Sequence, residues 1–223
     1  VVAPDTVKRV LLFANGDIAD GPMVRRAVQT GAGATIVAAD GGARIAHHFG
    51  LSVDVLIGDM DSLTADEVTS ITDGGATVQR YAPEKDETDL ELALLWSAKH
   101  NINWIRIIGG AGGRLDHTIA NLYLLALPQL ADCDVRMVMA RQEIYLVYPG
   151  AVTINGAVGD TISLIPMNGA AHGIRTKNLK YPLHGETLEF GPARGVSNVM
   201  LEAHAYLSLE EGLLLLIHTI GRA

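Results

Sequence analysis

Six aspartates stand just after apolar runs, at positions where their carboxylates can share one crevice. They are Asp40 in Ala38-Ala39-Asp40-Gly41-Gly42, Asp59 and Asp61 in Gly58-Asp59-Met60-Asp61-Ser62, Asp86 and Asp89 in Lys85-Asp86-Glu87-Thr88-Asp89, and Asp116 in Gly113-Arg114-Leu115-Asp116-His117. The carboxyl ends of strands in an open α/β sheet share one edge, and ligands bind in the crevice there. Hard oxygen ligands beside glycines suit Mg²⁺ holding a polyphosphate.

Each motif also has a plainer reading. Asp59 and Asp61 can both reach one cation from a strand-to-helix loop, and a buried carboxylate pair repels without a counter-ion. Ordinary loop polarity, with Asp61 or Ser62 as a cap, would explain them too. Thr88 and Glu91 form a capping box, and Asp89 in the first turn suits the helix dipole. Asp86 is not needed by that cap, lies about one turn before Asp89 and can point with it toward the crevice.

Gly109, Gly110, Gly112 and Gly113 precede a helix, so their amides can face phosphate oxygens at its N-terminus. Arg114 adds a fork of donors that suits phosphate. The loop lacks the Gly-Lys-Ser/Thr ending of a P-loop. Asp116 as an N-cap is the plain alternative, and it can cap and function together. Asp40-Gly41-Gly42 repeats the theme.

The elements that must position these residues alternate through residue 140. Strands are expected at Val10–Ala14, Ala34–Ala39, Val53–Ile57, Ala76–Gln79, Trp104–Ile108 and Val135–Met139. Between them the pattern predicts helices over Pro22–Thr30, about Ala43–Phe49, after the Thr64–Glu67 capping box, over Asp89–Lys99 and over Ile119–Leu130. Such alternation implies an α/β domain with a mostly parallel sheet over 1–140. Over 141–223 the helical signal stops. Short runs at Ile144–Val147, Val152–Ile154, Thr161–Ile165, Gly173–Thr176, Thr187–Phe190, Val199–Ala203, Ala205–Leu209 and Leu213–His218 alternate with turn residues. They predict an all-β sandwich or barrel.

Net charge is −8, from 17 basic and 25 acidic residues, which argues against a nucleic-acid surface. Cys133 is the lone cysteine, which excludes an internal disulfide and fits a reducing cytosol. No apolar run reaches the ~20 residues that span a bilayer, and no signal peptide is visible. A cytoplasmic protein that meets no membrane is expected. His47-His48 lacks zinc spacing, and no Gly-x-Ser-x-Gly elbow is present.

With these motifs in order, the chain resembles the thiamine pyrophosphokinase family. The resemblance rests on Asn15-Gly16, the Asp40, Asp59–Asp61 and Lys85–Leu90 segments, and Gly113–His117 with Asn121. It continues in Leu179-Lys180-Tyr181-Pro182-Leu183 and Gly195-Val196-Ser197-Asn198. It implies an N-terminal α/β domain that binds ATP and Mg²⁺, then a C-terminal β-sandwich that binds thiamine and dimerises. It also implies a homodimer with active sites between subunits, and pyrophosphoryl transfer from ATP to the thiamine hydroxyl with release of AMP.

Carried over, Asp59, Asp61 and Asp86 or Asp89 would bind Mg²⁺, with Arg114 neutralising phosphate charge. Asn15, Asp40, Gly41, Gly109, Gly110, Gly112 and Gly113 would hold the nucleotide, with Asp116 and His117 ordering the last loop. Ser197 and Asn198 would shape the thiamine end, with Asp86 and Asp89 toward the substrate. Some relatives place an aromatic after the Ser-Asn pair to stack on the thiazolium, where this chain has Val199-Met200-Leu201. A pyrophosphokinase acting on a pterin alcohol and a silent nucleotide- or thiamine-binding regulator are the alternatives.

Overall fold

The computed structural model describes residues 7–222, so the ends of the expected 1–140 and 141–223 ranges lie outside it. These residues form two compact units that divide between Ala140 and Arg141.

The first unit is built on strands β1 (Arg9–Phe13), β2 (Thr35–Ala39), β3 (Val55–Gly58), β4 (Thr77–Arg80), β5 (Trp104–Ile108) and β6 (Asp134–Met139). Their order is β6-β5-β1-β2-β3-β4, and every pairing between them is parallel. β1, β2, β3 and β5 are buried along nearly their whole length, as expected of parallel strands covered on both faces. Phe13, Leu56, Ile57, Leu94, Ile105, Ile107 and Met137 anchor this core.

The connecting helices are α1 (Pro22–Thr30), α2 (Gly42–His48), α3 (Ala65–Asp73), α4 (Asp89–Lys99) and α5 (Leu115–Leu124). Thr64 and Glu67 make the full capping box at α3, each satisfying the other's orphan amide. At α4 only half of that arrangement forms, the Thr88 hydroxyl accepting from the Glu91 amide at 3.2 Å. The expected helix over Ile119–Leu130 is displaced: α5 starts four residues earlier and ends at Leu124, with a separate 3₁₀ turn at Pro128–Leu130. Pro128 has no amide to donate and disfavours a helical residue before it, so one continuous helix cannot pass.

After β1 the chain winds toward β4, then returns to the other side of β1 for β5 and β6. The reversal makes the β1/β5 pair the topological switch point of the sheet, the place where such folds leave a crevice.

The second unit contains β7 (Gln142–Val147), β8 (Gly150–Asn155), β9 (Thr161–Pro166), β10 (Ala171–Lys177), β11 (His184–Leu188), β12 (Asn198–Val199), β13 (His204–Leu209) and β14 (Leu214–Thr219). Within it, β12-β9-β14-β7 and β11-β10-β13-β8 are antiparallel layers. Ile154, Ile174 and Leu207 of one layer meet Ile162, Leu164, Leu214 and Leu216 of the other in a single core. The layers form a sandwich and not a closed barrel. The run expected at Val199–Ala203 pairs only through Val199, with one isolated bridge from Met200 to Leu179. Among the described residues, no helix is long and apolar enough to cross a membrane.

Candidate active site

The loops that follow β1 and β5 are joined backbone to backbone. Ala14 donates to Ile108 O, Gly16 to Gly109 O and Asp17 to Ala111 O, each at 2.8 Å. Gly16 must be glycine for this approach, because a Cβ there would lie 2.3 Å from the carbonyl oxygens of both Gly109 and Ala111. The joined loops form one wall of a cleft of about 610 Å³, a size that accommodates a nucleotide.

Carboxylates line the same cleft. Asp40 follows β2 with φ 46°, and its amide donates to Ile57 O at 2.8 Å. A non-glycine residue in the left-handed region costs energy, and here that conformation brings a carboxylate to the strand edge. Gly58 ends β3 with φ 143°, and a Cβ on it would come within 3.0 Å of the Asp89 carboxylate. Oxygens of Asp40, Asp59 and Asp89 all lie within 4.8 Å of one another. Asp40 is 3% exposed, and its Oδ1 has no hydrogen-bond partner. An unpartnered buried carboxylate oxygen beside two more hard oxygen donors fits Mg²⁺.

Lys85 sits among them. Its ammonium donates to Asp59 Oδ2 at 3.2 Å and lies 3.1 Å from Asp89 Oδ1, the latter an ion pair outside hydrogen-bond geometry. Burial pushes the Asp59 carboxyl up, but the Asp61 amide and Lys85 outweigh it and hold it below the usual carboxylate range. At Asp89 burial wins over the pull of Lys85, and the nearby Asp59 and Asp40 charges add to it, so that carboxyl is raised. Burial lowers the Lys85 ammonium, yet Asp89 and Asp59 more than offset this and raise it.

Asp61 lines the cleft outside this trio, its Oδ1 accepting from Ser62 Oγ at 3.1 Å, while Asn15 Nδ2 donates to Ser62 at 3.0 Å. Gly109, Gly110, Gly112, Gly113, Arg114 and His117 line it too. Gly41 is buried at the start of α2, off the lining. Asp86 is exposed and also outside the lining, so of the Asp86/Asp89 pair it is Asp89 that joins the cluster. Arg114, and not Asp116, is the N-cap of α5, and the two form an exposed ion pair at 2.6 Å. The Asp116 carboxyl is lowered by Arg114 first and the His117 amide second.

Lys85, Asp17 and Thr118 line the cleft without having been singled out from sequence. Lys85 lies in the loop before the Thr88 cap, where its sequence position alone does not separate it from an ordinary helix-flanking charge. Ser197 and Asn198 belong to the second unit. The Ser197 amide donates to Ser163 Oγ at 3.1 Å. Asn198 accepts from the Tyr181 amide at 2.9 Å and donates to its carbonyl at 2.7 Å. That exchange holds an exposed aromatic beside the Ser-Asn pair, with Lys180 Nζ 5.4 Å from the ring centroid.

Comparison with known proteins agrees with this geometry. The family described as "Thiamin pyrophosphokinase, catalytic domain" matches residues 31–137, and "Thiamin pyrophosphokinase, vitamin B1 binding domain" matches residues 151–214. The thiamine pyrophosphokinase of Bacillus subtilis is 31% identical over 163 residues, which cover 73% of this chain and 76% of that protein. The crystal structure of thiamine pyrophosphokinase from Bacillus subtilis superposes with a TM-score of 0.85 at 26% identity, covering 96% of this chain and 99% of the other. A thiamin pyrophosphokinase family protein from Enterococcus faecalis gives 0.84 at 25% identity, covering 96% and 100%. Neither the pterin-alcohol acceptor nor the silent regulator draws support from these matches. The chain belongs to the thiamine pyrophosphokinase family.

Proposed function

We propose that the Asp40–Asp59–Asp89 cleft is where this chain, a thiamine pyrophosphokinase by family, moves a pyrophosphoryl group from ATP to thiamine. The observation that carries this reading is the buried, unpartnered Asp40 oxygen beside two more carboxylates in a cleft that a glycine-rich loop also lines. Asp40, Asp59 and Asp89 would hold Mg²⁺, with Asp61 at the margin. Bound there, the ion would supply Lewis-acid neutralisation of the polyphosphate.

The residues of the chain do the rest by position and charge. Amides of the Gly109–Gly113 loop would cradle phosphate oxygens at the α5 N-terminus, the Gly112 amide releasing its bond to Thr118 Oγ1, and Arg114, exposed, would exchange Asp116 for phosphate. The hydroxyethyl oxygen of thiamine attacks the β-phosphorus, the new O–P bond forms and the α,β-bridging P–O bond breaks. AMP leaves with that bridging oxygen, and the hydroxyl proton passes to a base. Charge neutralisation and alignment dominate such transfers, so the cleft needs no covalent intermediate.

The second unit would take thiamine through Ser197 and Asn198, with Tyr181 presenting a ring face that already accepts a cation from Lys180. We take the working form to be a homodimer in the cytoplasm with active sites at the subunit interface. The support for the dimer is α5, whose Leu115, Ile119 and Tyr123 are 70, 45 and 55% exposed at four-residue spacing. The net charge of −8 disfavours nucleic acid as a partner.

The test supplies ATP and Mg²⁺ with either thiamine or a pterin alcohol. AMP and thiamine diphosphate should appear together with thiamine, and AMP formed only with the pterin would overturn the acceptor.

A further inference from the structure

Lys85 occupies the place where the fold gathers its metal-binding oxygens. Its ammonium contacts Asp59 Oδ2 at 3.2 Å and Asp89 Oδ1 at 3.1 Å, and its side chain is only 13% exposed. These two carboxylates, with Asp40, are the ones whose oxygens converge within 4.8 Å. An ammonium held against these oxygens opposes a divalent ion at the same place, because like charges at that range repel. The lysine therefore partly neutralises the trio while Asp40 Oδ1 stays without a partner. Lysine suits this role, being a compact point charge on a stem that can swing to another anion. The glycine loop that would receive phosphate lines the same cleft.

We propose that Lys85 is a tethered counter-ion that competes with the divalent metal for Asp59 and Asp89 and transfers to the polyphosphate when nucleotide binds. The empty cleft then holds metal weakly, and metal and nucleotide enter with positive coupling, each raising the affinity for the other. Lys85 is a positioning residue for the metal as well as a phosphate ligand. The inference rests on the cleft being the metal–polyphosphate site.

The test uses Mn²⁺ alone, without nucleotide, titrated into the full chain while free Mn²⁺ is followed by electron paramagnetic resonance. Lys85→Gln should bind Mn²⁺ about tenfold or more tighter than the parent, since one competing charge is gone. Lys85→Arg, still cationic, should stay weak, and Lys85→Met repeats the neutral case should the Gln variant fold poorly. Unchanged or weaker Mn²⁺ binding in the neutral variants overturns the lysine's role. Asp59→Asn separates the two readings. If it abolishes Mn²⁺ binding while the lysine variants show no gain, the metal site stands and the competition fails. If it changes nothing in either background, the site itself is wrong and the competition falls with it.

Discussion

The Gly16 amide donates to the Gly109 carbonyl at 2.8 Å, joining the loop after the first strand to the loop after the fifth. The contact joins the two loops at the switch point of the sheet, so the glycine-rich side of the cleft depends on a residue with no chemistry of its own.

Gly16→Ala puts a methyl 2.3 Å from two carbonyl oxygens and must part the loops. We expect a loss of about 1–3 kcal/mol in stability, as for other overpacked sites. KM for ATP should rise more than KM for thiamine, which steady-state kinetics with each substrate varied would show.

Asp40→Asn separates function from folding. Asp40 has an unpartnered buried oxygen beside two further carboxylates, so removing its charge relieves repulsion in metal-free protein. Melting in chelator should be unchanged or higher, while turnover falls about a hundredfold or more. A clear drop in melting temperature would mean that Asp40 holds the fold and not the metal.

Sequence patterns made the outer frame legible, down to Trp104–Ile108 and the Thr64–Glu67 cap, because strand burial and capping are local. The site was legible as a set of aspartates but not as a partition among them. In sequence the helix start accounts for Asp89 and leaves Asp86 as the residue without a structural duty; the direction of the α4 start reverses that, turning Asp89 in and leaving Asp86 in solvent. Asp40 joins the carboxylates through a left-handed backbone that its residue type does not announce. Lys85 reads as a helix-flanking charge until β3 and α4 are placed side by side.

The Glu67 carboxyl gives a pH signature on the fold. Arg44 first, with bonds of 2.6 and 2.7 Å, and the Thr64 amide second lower it from 4.5 to about 2. A depressed carboxylate contributes stability that is complete above its ordinary value and lost as pH falls through the folded one. Between pH 4.5 and about 2 the parent's melting temperature should therefore fall more steeply than that of Glu67→Gln. Parallel curves would remove Glu67 from the account, and added salt should narrow the difference because the pair is exposed.

Asn198→Ala breaks both bonds that hold Tyr181. KM for thiamine should rise about tenfold with kcat changed little, the pattern of lost substrate binding. An equal fall in kcat and kcat/KM would place Asn198 in the transition state instead.

The most direct test of the central claim follows products from ATP, Mg²⁺ and thiamine in the parent and in Asp59→Asn side by side. The parent should form AMP and thiamine diphosphate in equal amounts, while folded Asp59→Asn forms neither. Turnover by Asp59→Asn at the parental rate, or ADP in place of AMP, would contradict it.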